Sequence, residues 1–285
     1  TLLCILSLYF FKDFFIFCFI YFSASFLSYL LLRKKFKEVF KHKENKTKAK
    51  SSPITKHAWG SAWRSGLGVI FSVGSINMIG IILAQFVDAI ELGKFLLSVR
   101  IIQSFAAISN PLFYIKIPQM ALIYNENGYK EAQKIGSQRV TICMTLFLGL
   151  LISFTVLYPL INSFLENKIL ILDKFDWAIL CAAFLIERLS SLYLQIYTLS
   201  NNVIWHKVNF LTLTAIILLS IVLFKNYYLL GICFALLLSF TLIAYPYNIL
   251  SYLNHFKIKF FPQELKIILI FFFLPTLFLI LYSHN

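Results

Sequence analysis

Charge is scarce in this 285-residue chain. Asp, Glu, Lys and Arg make up 13% of it, against about 25% in an ordinary soluble domain, while 60% is hydrophobic. A soluble fold of this length cannot hide so much apolar surface in one core, since even a large domain leaves about a quarter of its unfolded surface exposed. The composition therefore excludes a soluble enzyme and makes lipid the solvent. Cysteine is also sparse: Cys4, Cys18, Cys143, Cys181 and Cys233 stand alone inside apolar runs, with none of the paired spacing of a disulfide framework or a metal site, and read as small apolar fillers. His42, His57, His206, His255 and His284 lie at segment ends or in loops without a ligand pattern, so no metal and no cofactor is implied. Gly66-x-Gly68 lacks the third glycine and the preceding strand of a nucleotide fingerprint, and neither a phosphate loop nor a catalytic triad is present.

What charge there is leans to one sign and is densest in one place. The formal balance is +14, and 10 of the 26 Lys and Arg fall between Arg33 and Lys56. A nucleic-acid surface would spread its cations over a face interleaved with aromatics. A single juxtamembrane block instead fits lipid headgroups and topology, so no nucleic-acid partner is expected.

Eight stretches are long and apolar enough to cross a bilayer, which takes about 20 residues at about 1.5 Å each. They are Phe14 to Leu32, Trp63 to Phe86, Phe95 to Ile117, Val140 to Leu160, Trp177 to Leu199, Phe210 to Phe224, Tyr227 to Leu253 and Leu265 to Tyr282. The fold expected is an all-α polytopic transmembrane helix bundle. Residues 1–32 read as the last helix or helices of a first bundle, 33–57 as a basic cytosolic linker, 58–254 as a second, six-helix bundle, and 255–285 as an additional transmembrane helix. The chain opens on Thr1 with neither an initiator Met nor a basic n-region, so its first residues read as the end of an earlier span and the chain as a fragment. Met120 to Gln138 is mixed in character and is expected to form one interfacial helix.

Basic residues alternate between the two sets of loops. Arg33 to Lys56, Lys116 to Arg139, His206 with Lys207, and Lys257 to Lys266 make the cationic set. The other set holds Asp88, Glu91 and Lys94, then Glu166 to Asp176, then Lys225 alone. The cationic set is assigned to the cytosol, which puts the C-terminus outside.

Ionisable groups inside a span are costly and tend to face a cavity or each other. In the third span Arg100, Gln103, Ser104, Ala107 and Pro111 recur at steps of three and four, placing a cation, an amide, a hydroxyl and a kink on one helical face. That face wants water or an anionic ligand; alternatively Arg100, roughly 9 Å from the helix end, snorkels. Asn110-Pro111 and Pro118 signal a bent or broken helix beside a cavity. Arg64, Gly68, Ser72 and Ser75 line up similarly in the second span, where headgroup contact and close helix packing are the competing explanations. Glu187 and Arg188 sit near the middle of the fifth span, about 16 Å from either end. Adjacent residues point about 100° apart, so at least one needs a partner elsewhere. An interhelical ion pair and a coupling-ion or substrate contact both fit.

The run from Ala62 to Phe147, with Trp63-Arg64 near the start of a span, Arg100 in the following span and Pro118 before a short cytosolic segment, resembles the start of the second half of bacterial O-antigen flippases. These belong to the multidrug, oligosaccharidyl-lipid and polysaccharide exporter (MATE-like) superfamily. The resemblance covers about a third of the chain. It implies two six-helix bundles around a central cavity and a non-enzymatic role: moving a lipid-linked sugar from the inner to the outer leaflet of the inner membrane by alternating access, for surface polysaccharide synthesis. The expected partners are then an undecaprenyl-pyrophosphate-linked oligosaccharide, membrane lipids, and a coupling proton or sodium ion. An anionic head crossing hydrocarbon needs desolvated guanidinium groups, for which Arg supplies planar, always-charged donors. Arg64, Arg100, Gln103 and Arg188 are the substrate-binding candidates, and Glu187, a mid-membrane carboxylate, is the ion-coupling candidate. A multidrug exporter of the same superfamily should show an acidic excess within its spans, and a membrane-embedded polysaccharide polymerase or ligase a large outer loop with reactive residues. This chain has neither.

The topology is open to test by reporter fusions. Fusions at Asp88 and Asp173 are expected to score as extracytoplasmic, and a cytosolic score at either would overturn the assignment.

Overall fold

A computed structural model describes residues 52–164, 170–200 and 202–256, together with residues 23, 26 and 30 singly. The chain divides into two units, Thr1–Ala58 and Trp59–Asn285, and the account below concerns the second. Every regular element among the described residues is helical. They are α1 (Ser52–Leu83), α2 (Ala89–Ser109), α3 (Pro111–Tyr114), α4 (Ile117–Asn127), α5 (Tyr129–Phe164), α6 (Lys174–Tyr197), α7 (Trp205–Ser239) and α8 (Tyr245–Phe256), with a 3₁₀ turn at Thr198–Ser200 and a π-helical turn at Phe240–Ala244.

Five helical stretches are long and apolar enough to cross a membrane: Ala62–Leu83, Ala89–Glu126, Tyr129–Phe164, Lys174–Ser200 and Trp205–Phe256. Eight spans were expected. Two of those, Phe14 to Leu32 and Leu265 to Tyr282, lie outside the described residues, and two more fall together on the 52-residue stretch Trp205–Phe256. That stretch is not straight. Tyr228 has φ 54° and ψ −133°, a conformation a bulky L-residue rarely adopts. The chain reverses there, so closely that a Cβ on Gly231 would strike the backbone carbonyl of Leu223. Glycine is required at 231 because backbone approaches backbone.

Side chains on the outside of the bundle are as apolar as those within. Val69, Ile70, Val73, Val156, Leu157, Leu160, Leu218, Val222 and Leu242 are exposed, a surface far larger than water tolerates on a monomer and one that acyl chains cover. The core is organised by α6, 61% buried over its most apolar window, which packs against α2, α5, α7, the π turn and α8. Some of its buried polar groups are matched across helices: Trp177 Nε1 donates to Thr155 Oγ1 on α5 at 2.9 Å, and Ser98 Oγ on α2 accepts from Leu172 N at 3.1 Å. α1 runs parallel to the first half of α7, with Gly68 against Trp205, Phe71 against Phe210 and Phe86 against Phe224. Asn209 Nδ2 caps the first contact by donating to Gly68 O at 2.8 Å.

Met120 to Gln138 is not the single interfacial helix expected. Gly128, at φ 82°, ends α4 and lets the chain fold back, so that α4 packs on α5 and Met120 is fully buried. The mixed pattern of this segment comes from two antiparallel faces joined at a glycine that can take a positive φ. Beyond it, the ends of the helices sort into two groups. Glu91, Lys94, Leu172, Asp173, Asp176, Tyr227 and Tyr228 share a small pocket at one end. Tyr124, Tyr129, Tyr252 and Phe256 form an aromatic cluster, with Tyr197 against His255, at the other.

Gly231→Val is expected to lower thermal stability by at least the roughly 1–3 kcal/mol of an overpacked site, whereas Gly149→Ala, where an added Cβ meets nothing within 4 Å, is expected to be neutral. Equal melting temperatures for the two variants in detergent would overturn the hairpin at Tyr228.

Candidate functional site

The helix break at Asn110-Pro111 is the starting point. Pro111 has no N–H to give to the turn before it, and the helix stops at Ser109, restarts as the single turn α3 and stops again before Pro118 in α4. Asn110 N still donates to Ala106 O at 2.9 Å, but its side-chain Oδ1 points away from α2 and accepts from Arg188 Nη1 at 3.4 Å. Arg188 Nη2 lies 3.3 Å from Glu187 Oε2. The two neighbours on α6 therefore do meet, and Arg188 also finds the partner on another helix that their divergent directions require.

The match is incomplete. Glu187 Oε2 and Arg188 Nε are buried without hydrogen-bond geometry to any partner, although the side chains as wholes are 24% and 16% exposed. Both face a cavity of about 280 Å³. It is bounded by α1 through Ser72, Val73, Ile76 and Asn77; by α2 through Arg100 and Gln103; and by α6 through Phe184, Glu187, Arg188, Ser190, Ser191 and Leu194. Trp205, Asn209 and Thr212 of α7, Phe240 and Ala244 of the π turn and Asn248 of α8 close it. Arg100 Nη1 donates to Gln103 Oε1 at 3.1 Å, so the three-residue spacing on α2 holds the guanidinium over the cavity.

Four of the five residues singled out from sequence, Arg100, Gln103, Glu187 and Arg188, thus line one hollow. Arg64 is not with them. It sits exposed on α1, within electrostatic reach of His206 and two turns before Ser72, the first residue of α1 to line the cavity. The other members of its expected line divide between packing and lining: Gly68 meets Trp205, Ser75 donates to Ser72 O at 2.7 Å, and Ser72 borders the hollow. Ser104 on α2 turns back to its own helix, donating to Arg100 O at 2.8 Å.

The sequence did not single out Asn77, Asn209, Thr212 or Asn248. A signal existed for two of them, since Trp205, Asn209 and Thr212 follow one another at steps of four and three. Asn248 is isolated in an apolar run, and only the fold shows that its Nδ2 donates to Ser190 Oγ at 2.7 Å in the cavity wall. Among the described residues no group of His, Cys, Asp and Glu could hold a metal ion, and Cys143 and Cys233 are buried, Cys143 donating to Ser109 O at 3.4 Å.

With two guanidiniums against one carboxylate, the cavity carries an excess positive charge inside an apolar bundle. Fold and site together describe a bundle of helices long and apolar enough to cross a membrane, with an excess of basic groups around one cavity. No protein-family model, curated protein or solved structure matches the chain, so what the site does is argued from its own chemistry.

Breaking a buried pair strands a charge. Glu187→Leu alone is expected to cost about 3–5 kcal/mol, and Glu187→Leu with Arg188→Leu markedly less, because the double change leaves no unpaired ion. Additive losses in thermal melts would show that the two side chains do not support one another.

Proposed function

We propose that this protein carries a lipid-linked oligosaccharide across a bacterial inner membrane by alternating access, as a transporter in surface polysaccharide synthesis rather than as an enzyme. The observation that carries the reading is the placing of Arg100 and Arg188 on separate helices around one cavity. A polyprenyl pyrophosphate must bring its dianionic head through hydrocarbon while its tail stays in lipid. Two guanidiniums on the cavity wall, Arg188 largely buried and Arg100 exposed, supply planar donors and charge to that head. Gln103 holds the first of them, and Asn110 with Glu187 the second.

Size limits what enters. At about 280 Å³ the cavity lies at the lower end of ligand-pocket volumes, so it takes a headgroup and the sugar next to it, and the rest of the oligosaccharide lies beyond these lining residues. Glu187 is the carboxylate through which a proton or sodium ion would be coupled to the cycle: its charge decides how firmly Arg188 is held, and so how free that guanidinium is to meet phosphate. On the positive-inside rule the ends with Tyr124 and His206 would face the cytosol and the C-terminus the periplasm. An organic-cation exporter would need the opposite charge excess in the cavity.

Arg100→Ala is expected to leave the lipid-linked sugar on the cytosolic leaflet and to cut surface polysaccharide by about tenfold or more, the effect of losing one charged hydrogen bond to phosphate. Arg64→Ala, outside the cavity, is expected to export close to normally. Unimpaired export in the Arg100 variant, in cells lacking any other flippase, would remove the cavity from the mechanism.

A further inference from the structure

The charged groups account for only part of the cavity. Away from Arg100 its wall carries two further buried polar atoms that have no hydrogen-bond partner. Asn248 is 3% exposed; its Nδ2 is committed to Ser190 Oγ, and its Oδ1 is free. Thr212 is 6% exposed, and its Oγ1 is free as well, although a helical threonine commonly donates to the carbonyl one turn back. Arg188 Nε adds an unpaired donor on the same lining. Leaving such groups dry costs about 1–3 kcal/mol each, so something polar meets them when the cavity is occupied.

The kind of molecule follows from the mixture. An amide oxygen accepts, a guanidinium N–H donates, and a hydroxyl does either, so the complement must offer both donors and acceptors at close spacing. A metal cation offers neither and would stand near the Arg188 guanidinium. A bare phosphate offers acceptors and leaves Asn248 Oδ1 unmet. A hydroxyl-rich ring meets all three. The same wall contains apolar rings that water alone would not favour: Phe184 and Phe240 meet edge to face at 6.3 Å, and Trp205 lies beside Asn209 on the opposing helix. Hydroxyl edges with C–H faces are the two surfaces of a pyranose, matched here by polar atoms and aromatic rings.

We propose that the part of the cavity lined by Asn248, Thr212 and Trp205 is a carbohydrate subsite, which binds the neutral sugar ring adjoining the pyrophosphate while Arg100 holds the phosphate. The inference rests on the transport reading for its ligand but on different atoms for its evidence. The π turn supports the geometry. Pro246 follows it and removes a backbone donor, and the widened turn Phe240–Ala244 brings Phe240, Ala244 and Asn248 to the cavity together. Selectivity among sugars would then be set by Asn248 and Thr212, which read hydroxyl positions, and not by the arginines.

The test uses the full chain in lipid nanodiscs with two probes: inorganic pyrophosphate, followed by phosphorus NMR line broadening, and methyl glycosides of glucose, galactose, mannose, fucose and N-acetylglucosamine, followed by saturation-transfer NMR against empty discs. At least one glycoside is expected to receive saturation. Asn248→Ala and the isosteric Thr212→Val, both checked by thermal melt, are expected to weaken its binding by about tenfold while pyrophosphate binding is unchanged. Arg100→Ala should do the reverse. If pyrophosphate binds and no glycoside does, the carbohydrate subsite is wrong and the transport reading stands. If neither probe binds, both fall.

Discussion

A guanidinium held in a low-dielectric interior constrains the rest of this structure. Arg188 lies on the most buried helix of the bundle, and its ion cannot be left alone at that depth. Glu187 is beside it, but adjacent positions on a helix diverge, and the pair reaches only 3.3 Å at one nitrogen. The second contact comes from Asn110, at the point where Pro111 ends α2. The helix break and the buried charge are thus one feature seen from two sides. Asn110, where α2 ends, brings its side-chain oxygen to that charge from a neighbouring helix.

The cavity forms where that arrangement leaves space. α1 touches the bundle along a narrow seam, through Gly68 and Trp205 and through phenylalanine pairs on α7. On its cavity side it presents Ser72 and Asn77 alongside Val73 and Ile76. The hollow has a charged region, with Arg100 and the Glu187–Arg188 pair, and a neutral region with amides, hydroxyls and aromatic rings. An amphipathic headgroup with an anion joined to a polyol has the same division. The separation matters for mechanism, because affinity from charge is largely indifferent to which sugar is present, whereas neutral hydrogen bonds discriminate by position.

Arg100, Gln103, Glu187 and Arg188 were legible in the sequence for a reason of cost. An ion in the middle of an apolar span is expensive wherever it points, so its mere presence marks a polar environment. Arg64 misled because it is near a helix end, where the cost vanishes, and its alignment with Ser72 on a helical wheel carried no information about depth. Asn248 was illegible for the opposite reason, and Thr212 was marked only by its spacing from Trp205 and Asn209. One neutral polar side chain in a helix is cheap, and it can pack, cap or bond its own backbone, as Ser104, Thr214 and Thr241 do here. The fold-back at Gly128 was missed because a mixed pattern over two short helices averages to the appearance of one amphipathic helix.

Composition and hydropathy alone determined the helical class and the presence of helices long and apolar enough to cross a membrane, because each of these is a sum over many residues and survives any single misreading; the helix bounds did not follow, as Tyr129–Phe164 is far longer than the span expected from Val140 to Leu160. The tertiary structure decided which polar residues share a space. Whether Asn110 reaches Arg188, or Asn248 reaches Ser190, depends on how helices far apart in the chain cross. Those crossings are set by small-residue contacts such as Gly68 on Trp205 and Gly231 on Leu223, whose partners lie too far away, or around too tight a turn, for any local pattern to reveal.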